Sequence, residues 1–186
     1  MTRPLVLLDV DGVLNALGPT DAWAPWRTGR AVADGGTFVI RWAPEVVERV
    51  LAWTDRAEVQ WLTTWGHDAN TSLRHLLEMP VLPVAGTWDD VDGGAPVADG
   101  PTHADVAPAA PDPLTGRWWK FDVVRRLVRA DPSRPVVWID DDLAGTPEVA
   151  AWMRDHATGL LVVPDPRTGL VPEDLEAVET FLERHR

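Results

Sequence analysis

Asp9 and Asp11 stand one residue apart at the end of the apolar run Leu5-Val6-Leu7-Leu8, and Gly12-Val13-Leu14-Asn15 follows them. Two carboxylates in such a place either mark a strand that has reached solvent or hold a metal, a phosphate, or both. Three other segments carry residues suited to the second alternative. Thr63 and Thr64 end the run 58–62, and Asp140, Asp141 and Asp142 follow Ile139. The third is Lys120: among 17 Lys and Arg residues it is the sole lysine. A lysine that escapes so strong an arginine bias is a candidate for a task needing a compact point charge and not a planar fork.

The chemistry of these residues is coherent. Several carboxylates brought together repel one another, so a cation is expected among them. Oxygen ligands without Cys or His point to Mg²⁺, which prefers one or two carboxylates plus substrate phosphate. An Asp beside the ion can attack phosphorus directly. A second carboxylate two residues on can protonate the leaving group and later activate water. A Thr hydroxyl and a Lys ammonium can hold the phosphoryl oxygens. Gly12 permits a sharp turn between the acids and the next element.

The elements must bring these segments together. Residues 4–10 read as a buried strand, 37–42 as a strand returning from a small hairpin or flap within 15–42, and 58–62 as another strand. A helix opens at Pro44, with Glu45 and Arg49 spaced as an i,i+4 pair. A second helix is predicted over 68–78, and a short, proline-bearing edge strand over 79–84. Residues 86–116 are rich in Pro, Gly, Asp and Ala; they read as a substrate-side loop or minimal lid, against the alternative of a solvated insert. Helix 117–130, strand 135–139, helix 147–155, strand 159–163 and a helix from Pro172 complete the alternation. That alternation predicts one α/β domain over 1–186 with a doubly wound parallel sheet. Ligands bind such sheets outside the carboxyl ends of the strands. Asp9, Asp11, Thr63, Thr64 and Asp140–Asp142 all fall there, and so does Lys120 in the first turn of its helix.

Bulk properties narrow the function. The net charge of −12 argues against free-standing binding to nucleic acid or an anionic membrane, leaving room for a basic partner. Cys is absent, which excludes disulfides and thiolate metal sites. No apolar run reaches spanning length and no leader-like cleavage pattern opens the chain, so the expected compartment is the cytoplasm.

Asp9-Val10-Asp11-Gly12-Val13 resembles motif I of the haloacid dehalogenase (HAD) superfamily, Thr63 after Val59-Gln60-Trp61-Leu62 resembles motif II, Lys120 motif III, and Asp140-Asp141 the two-acid form of motif IV. The stretches "WLTTWGHDAN", "WIDDD" and "DPRTGL" further resemble the small HAD domain of bacterial "Swiss Army Knife" RNA-repair proteins. The resemblance implies a Rossmannoid fold with a minimal cap or none, and a Mg²⁺-dependent phosphatase with an aspartyl-phosphate intermediate. It makes Asp9 the nucleophile and Asp11 the general acid/base, and puts Thr63, with Thr64 and Gly12 beside it, and Lys120 on the phosphoryl group. Asp9, Asp11 through its carbonyl, and Asp141 with Asp140 beside it become the metal ligands; the triple acid leaves Asp142 open as well. The acid at the second position of motif I favours phosphate removal over dehalogenation.

Trp65, Trp119 and His67 lie beside the expected crevice, where they would stack on or touch a substrate; loop packing for the tryptophans and a surface place for His67 are the alternatives. The implied substrate is a small phosphate ester or a phosphorylated nucleic-acid end, with a repair protein as a partner. The competing reading is a non-catalytic HAD scaffold that binds without turnover in a repair or regulatory complex.

Overall fold

The computed structural model describes residues 2–18, 25–90 and 118–186. Four short strands, β1 (Leu5–Leu8), β4 (Glu58–Trp61), β5 (Val136–Ile139) and β6 (Gly159–Val162), form a parallel sheet in the order β4-β1-β5-β6. Two more, β2 (Arg27–Ala33) and β3 (Gly36–Trp42), form a separate antiparallel hairpin. The α-helices are α1 (Pro44–Trp53), α2 (Arg74–Leu77), α3 (Trp119–Ala130), α4 (Pro147–His156) and α5 (Pro172–Arg184). This is the α/β, parallel-sheet architecture that the alternating pattern predicts.

Strand β1 is apolar throughout because both its faces are covered. Val6 and Leu8 join the cluster that includes residues of α1, α5 and the hairpin. Leu5 and Leu7 join the opposite cluster, with Val123, Val124 and Val128 of α3 and Val149 and Met153 of α4. A strand buried on both sides has no polar alternation to show. Chain direction changes sides at β1, with β4 added on one flank and β5 on the other. The crevice at its carboxyl end is the topological switch point.

The hairpin turns at Asp34-Gly35, both in the left-handed region (φ 44° and 74°), as a two-residue Asp-Gly turn requires. It is fastened to the segment after β4. The Ser72 hydroxyl accepts from Val32 N at 2.7 Å, and the Asp68 carboxylate accepts from Asp34 N at 2.9 Å.

Several local expectations are corrected. The helix predicted over 68–78 is a π-helix at Ala69–Leu73 followed by the single turn of α2. Residues 79–84 form no strand; only Val84 makes a bridge, to Trp61. Pro80 and Pro83 have no N–H to give, and the Asn70 amide takes Leu82 instead, donating to its carbonyl (2.7 Å) and accepting from its N–H (3.1 Å). Arg49 feels Glu45 one turn back but gives its hydrogen bonds elsewhere. It forks onto Glu179 of α5, both N–H···O contacts at 2.8 Å, and so ties α1 to α5. The expected loop 86–116 is described only as far as a 3₁₀ turn at Trp88–Asp90, and residues 19–24 of the expected flap also lie outside the described residues. Among the described residues no helix is long and apolar enough to cross a membrane.

Candidate active site

The carboxyl edge is assembled by strand pairing. Asp9 N donates to Ile139 O (3.1 Å), Asp140 N to Val162 O (3.1 Å) and Leu62 N to Leu8 O (2.9 Å). Each bond extends the sheet by about one residue, so Asp9 and Asp140 emerge at one level and Thr63 one residue beyond them. Lys120, second residue of α3, reaches in from the helix that covers this face.

Lys120 is the charge centre. Only 1% exposed, its Nζ donates to Asp9 Oδ2 at 2.6 Å and to Asp140 Oδ2 at 2.8 Å. Burial works against its charge, yet Asp140 and Asp9 outweigh it and hold the ammonium above the ordinary lysine value. A buried ammonium bonded to two carboxylates stays charged.

Asp140 is enclosed on every side. Its Oδ2 also receives the Trp138 indole N–H (3.3 Å), and its Oδ1 accepts from Asp142 N (3.1 Å). Burial pushes its carboxyl up, and Lys120 opposes that shift. Asp141, next in the chain, is only partly buried. Burial first, then Asp142 and Asp9, push it up to about 7. It leans against the motif loop: a Cβ on Gly12 would lie 2.4 Å from Asp141 Cγ and 2.5 Å from both its oxygens. Gly12, at φ +71°, is therefore fixed twice over, by backbone conformation and by this close approach.

Asp9, Asp140 and Asp141 each present a carboxylate oxygen, and the three oxygens lie within 4.8 Å of one another. One ammonium faces five acids here, counting Asp11 and Asp142. That excess of negative charge, in an all-oxygen donor set, fits a hard divalent cation such as Mg²⁺.

The Asp11 carboxylate has different hydrogen-bond partners. Its Oδ1 accepts from Asn15 Nδ2 at 2.7 Å, and its Oδ2 from Trp65 Nε1 at 2.8 Å. Burial raises its carboxyl above the ordinary value, against the pull of those two donors. The loop that carries it is braced from the far end of the chain. Leu170 N donates to Val13 O at 2.9 Å, and Gly169 passes so near that a Cβ there would meet Val13 O at 2.5 Å.

Thr63 is buried beside the crevice, its hydroxyl accepting from Trp65 N at 3.3 Å, and Thr64 is partly exposed. Trp65 and Trp119 are both buried: Trp65 packs edge-on to Phe38 of the hairpin, and Trp119 lies in the core under α3. In this fold both rings are packed, which accords with the alternative of loop packing. His67 is exposed on the turn before the π-helix. The sequence reading passed over Asn15 altogether. A polar residue closing the run Gly-Val-Leu, one turn beyond Asp11, was the available signal.

Fold and site together define an α/β protein whose acids, hydroxyl and lysine gather at the switch point of a parallel sheet. The sequence model of the family described as "HAD domain in Swiss Army Knife RNA repair proteins" matches residues 5–175. The chain belongs to that family. A search of curated proteins finds no match.

Proposed function

We propose that this protein is a Mg²⁺-dependent phosphomonoesterase that works through an aspartyl-phosphate on Asp9, with nucleic-acid ends or nucleotides as its substrate class. The observation that carries the reading is the Lys120 contact with Asp9, set beside the oxygen cluster of Asp9, Asp140 and Asp141. A carboxylate held in place and a fixed cation next to it are the parts that an in-line attack on phosphorus needs. The RNA-repair wording of the family description supports the substrate class.

The metal would be held by Asp9, Asp141 and the Asp11 carbonyl. Asp140 anchors Lys120 through its Oδ2, and its Oδ1, which accepts one N–H, keeps capacity for the ion beside them. Bound there, Mg²⁺ supplies positive charge against the phosphoryl oxygens. Lys120 uses two of its three N–H donors on Asp9 and Asp140, and the third is available to a phosphoryl oxygen. Thr63 offers a hydroxyl to another.

In the first step an Asp9 oxygen forms a bond to phosphorus and the ester O–P bond breaks. Protonated Asp11 gives its proton to the departing alcohol oxygen. In the second step the Asp11 carboxylate takes a proton from water as that water's oxygen attacks phosphorus. The Asp9–phosphorus bond breaks, inorganic phosphate leaves, and both side chains return to their starting states.

The test is a panel of phosphate esters assayed with Mg²⁺: an aryl phosphate, sugar phosphates, nucleotides, and RNA and DNA oligonucleotides phosphorylated at either end. The reading expects turnover that EDTA abolishes and that Asp9→Asn lacks, with oligonucleotide ends the best substrates. Hydrolysis of no ester by the pure protein would overturn the phosphatase reading. Rates on oligonucleotides no better than on sugar phosphates would overturn the substrate class alone.

A further inference from the structure

We infer that Asn15 and Trp65 are positioning residues, a two-donor clamp that aims the Asp11 carboxyl at the leaving group. The inference rests on the phosphatase reading of Asp11 as the general acid. Each Asp11 oxygen receives one N–H, from Asn15 at 2.7 Å and from Trp65 at 2.8 Å. Rotation of the carboxyl about its last bond would break both hydrogen bonds at once. The plane of the group is therefore fixed, and each oxygen keeps lone-pair capacity for a second partner.

The donors are themselves held. Asn15 Oδ1 accepts from the Arg41 backbone N–H at 2.9 Å. A backbone N–H only donates, so the oxygen of the Asn15 amide must face Arg41 and its NH₂ must face Asp11. The Asn15 backbone is tied too, its N–H donating to Val10 O and its carbonyl accepting from Gly12 N, both at 2.9 Å. Trp65 is buried, and its ring meets Phe38 edge-on with centroids 5.5 Å apart. Arg41 and Phe38 both belong to β3. The hairpin thus stands behind both halves of the clamp, which gives this fastened strand pair a role in the chemistry.

A proton delivered from a misaligned carboxyl is delivered poorly, and poor alignment costs most where the leaving group needs the proton most. 4-Nitrophenyl phosphate has a good leaving group and leans little on the acid; β-glycerophosphate has a poor one. The experiment measures kcat/KM for both esters in the wild-type chain, Trp65→Phe, Asn15→Ala and the double variant. This quantity reports the steps up to alcohol departure, and a thermal melt of each variant accompanies it. Trp65→Phe keeps an aromatic ring against Phe38 and removes only the N–H and some bulk.

The clamp predicts a loss of about 10- to 100-fold on β-glycerophosphate and under about 3-fold on 4-nitrophenyl phosphate, a part of what general acid catalysis is worth. The double variant should fall little below the worse single one, because both donors act through one carboxyl. Equal losses on the two esters would mean a structural role and would overturn the inference while leaving the phosphatase reading intact. A wild-type chain that hydrolyses neither ester would overturn the phosphatase reading, and the clamp with it.

Discussion

Asp9 and Asp11 are two residues apart and live in opposite surroundings. Asp9 bonds directly to an ammonium at 2.6 Å and lies beside two further acids; Asp11 bonds to two neutral N–H groups and feels Asp9 and Lys120 only at longer range. A direct ion pair holds the Asp9 carboxylate in place, which suits a group that must attack. Neutral donors fix direction and leave the proton free to come and go, which suits a group that must give one up and take one back. The difference arises because β1 ends just before Asp9 and the turn that closes on Asn15 begins at Asp11. Asp9 looks across the sheet to α3, while Asp11 has already turned toward the hairpin.

The comparison can be broken from either side. Lys120→Met should have the largest effect. It leaves Asp9 and Asp140 without their buried partner, a change that costs about 3–5 kcal/mol where one member of a buried ion pair is removed. Chemical denaturation should show that loss, with no turnover in the fraction that folds. Asp11→Asn should leave the melting curve near the wild-type one and lower kcat/KM on an alkyl phosphate by about 10²- to 10⁴-fold. Parallel melts and rates distinguish the two variants: one damages fold and activity, the other activity alone.

Gly12→Ala tests the close approach of the motif loop to Asp141. The left-handed backbone there costs a side-chain-bearing residue about 1–2 kcal/mol, and the new methyl must push Asp141 aside. Mg²⁺ affinity, followed by calorimetry, should fall about tenfold, in the range seen when groups supporting a metal site are altered. A further test is pH dependence. Asp141 rises from an ordinary 3.8 to about 7 in the metal-free fold. Between those values the folded chain holds a proton that the unfolded chain has lost, so this contribution to stability is full below pH 3.8 and gone once pH passes about 7. The metal-free melting temperature should therefore drift down over that window from this group, and added Mg²⁺ should raise it more at pH 8 than at pH 5.

Much of this was legible in the sequence because the fold is written in periodicity. The continuous apolar runs before Asp9 and Asp140 announce strands buried on both faces, the alternating run before Thr63 announces a half-buried edge strand, and the sole lysine announces itself by its rarity. Segment 79–84 misled because its apolar residues fit a strand, while the partner that takes its backbone is a side chain, Asn70, which no local pattern reveals. Trp65 is a related case. A tryptophan after a site motif reads as a ring for stacking, but its N–H, aimed at Asp11, carries its part in the site. Asn15 stayed hidden because its value depends on Arg41, which arrives only when the hairpin folds back. Contacts made across the chain set roles that residue type alone leaves open.

The central claim is that Asp9 carries the phosphoryl group and Asp11 handles the proton. It is tested most directly by acid-quenching the Asp11→Asn variant during reaction with 4-nitrophenyl phosphate and Mg²⁺, then locating any phosphoryl group by peptide mass spectrometry. A good leaving group departs without the acid, while hydrolysis of the intermediate loses its base, so a phosphoryl group should accumulate on Asp9. A burst of 4-nitrophenolate with Asp9 unmodified, or with the phosphoryl group on another residue, would contradict the account.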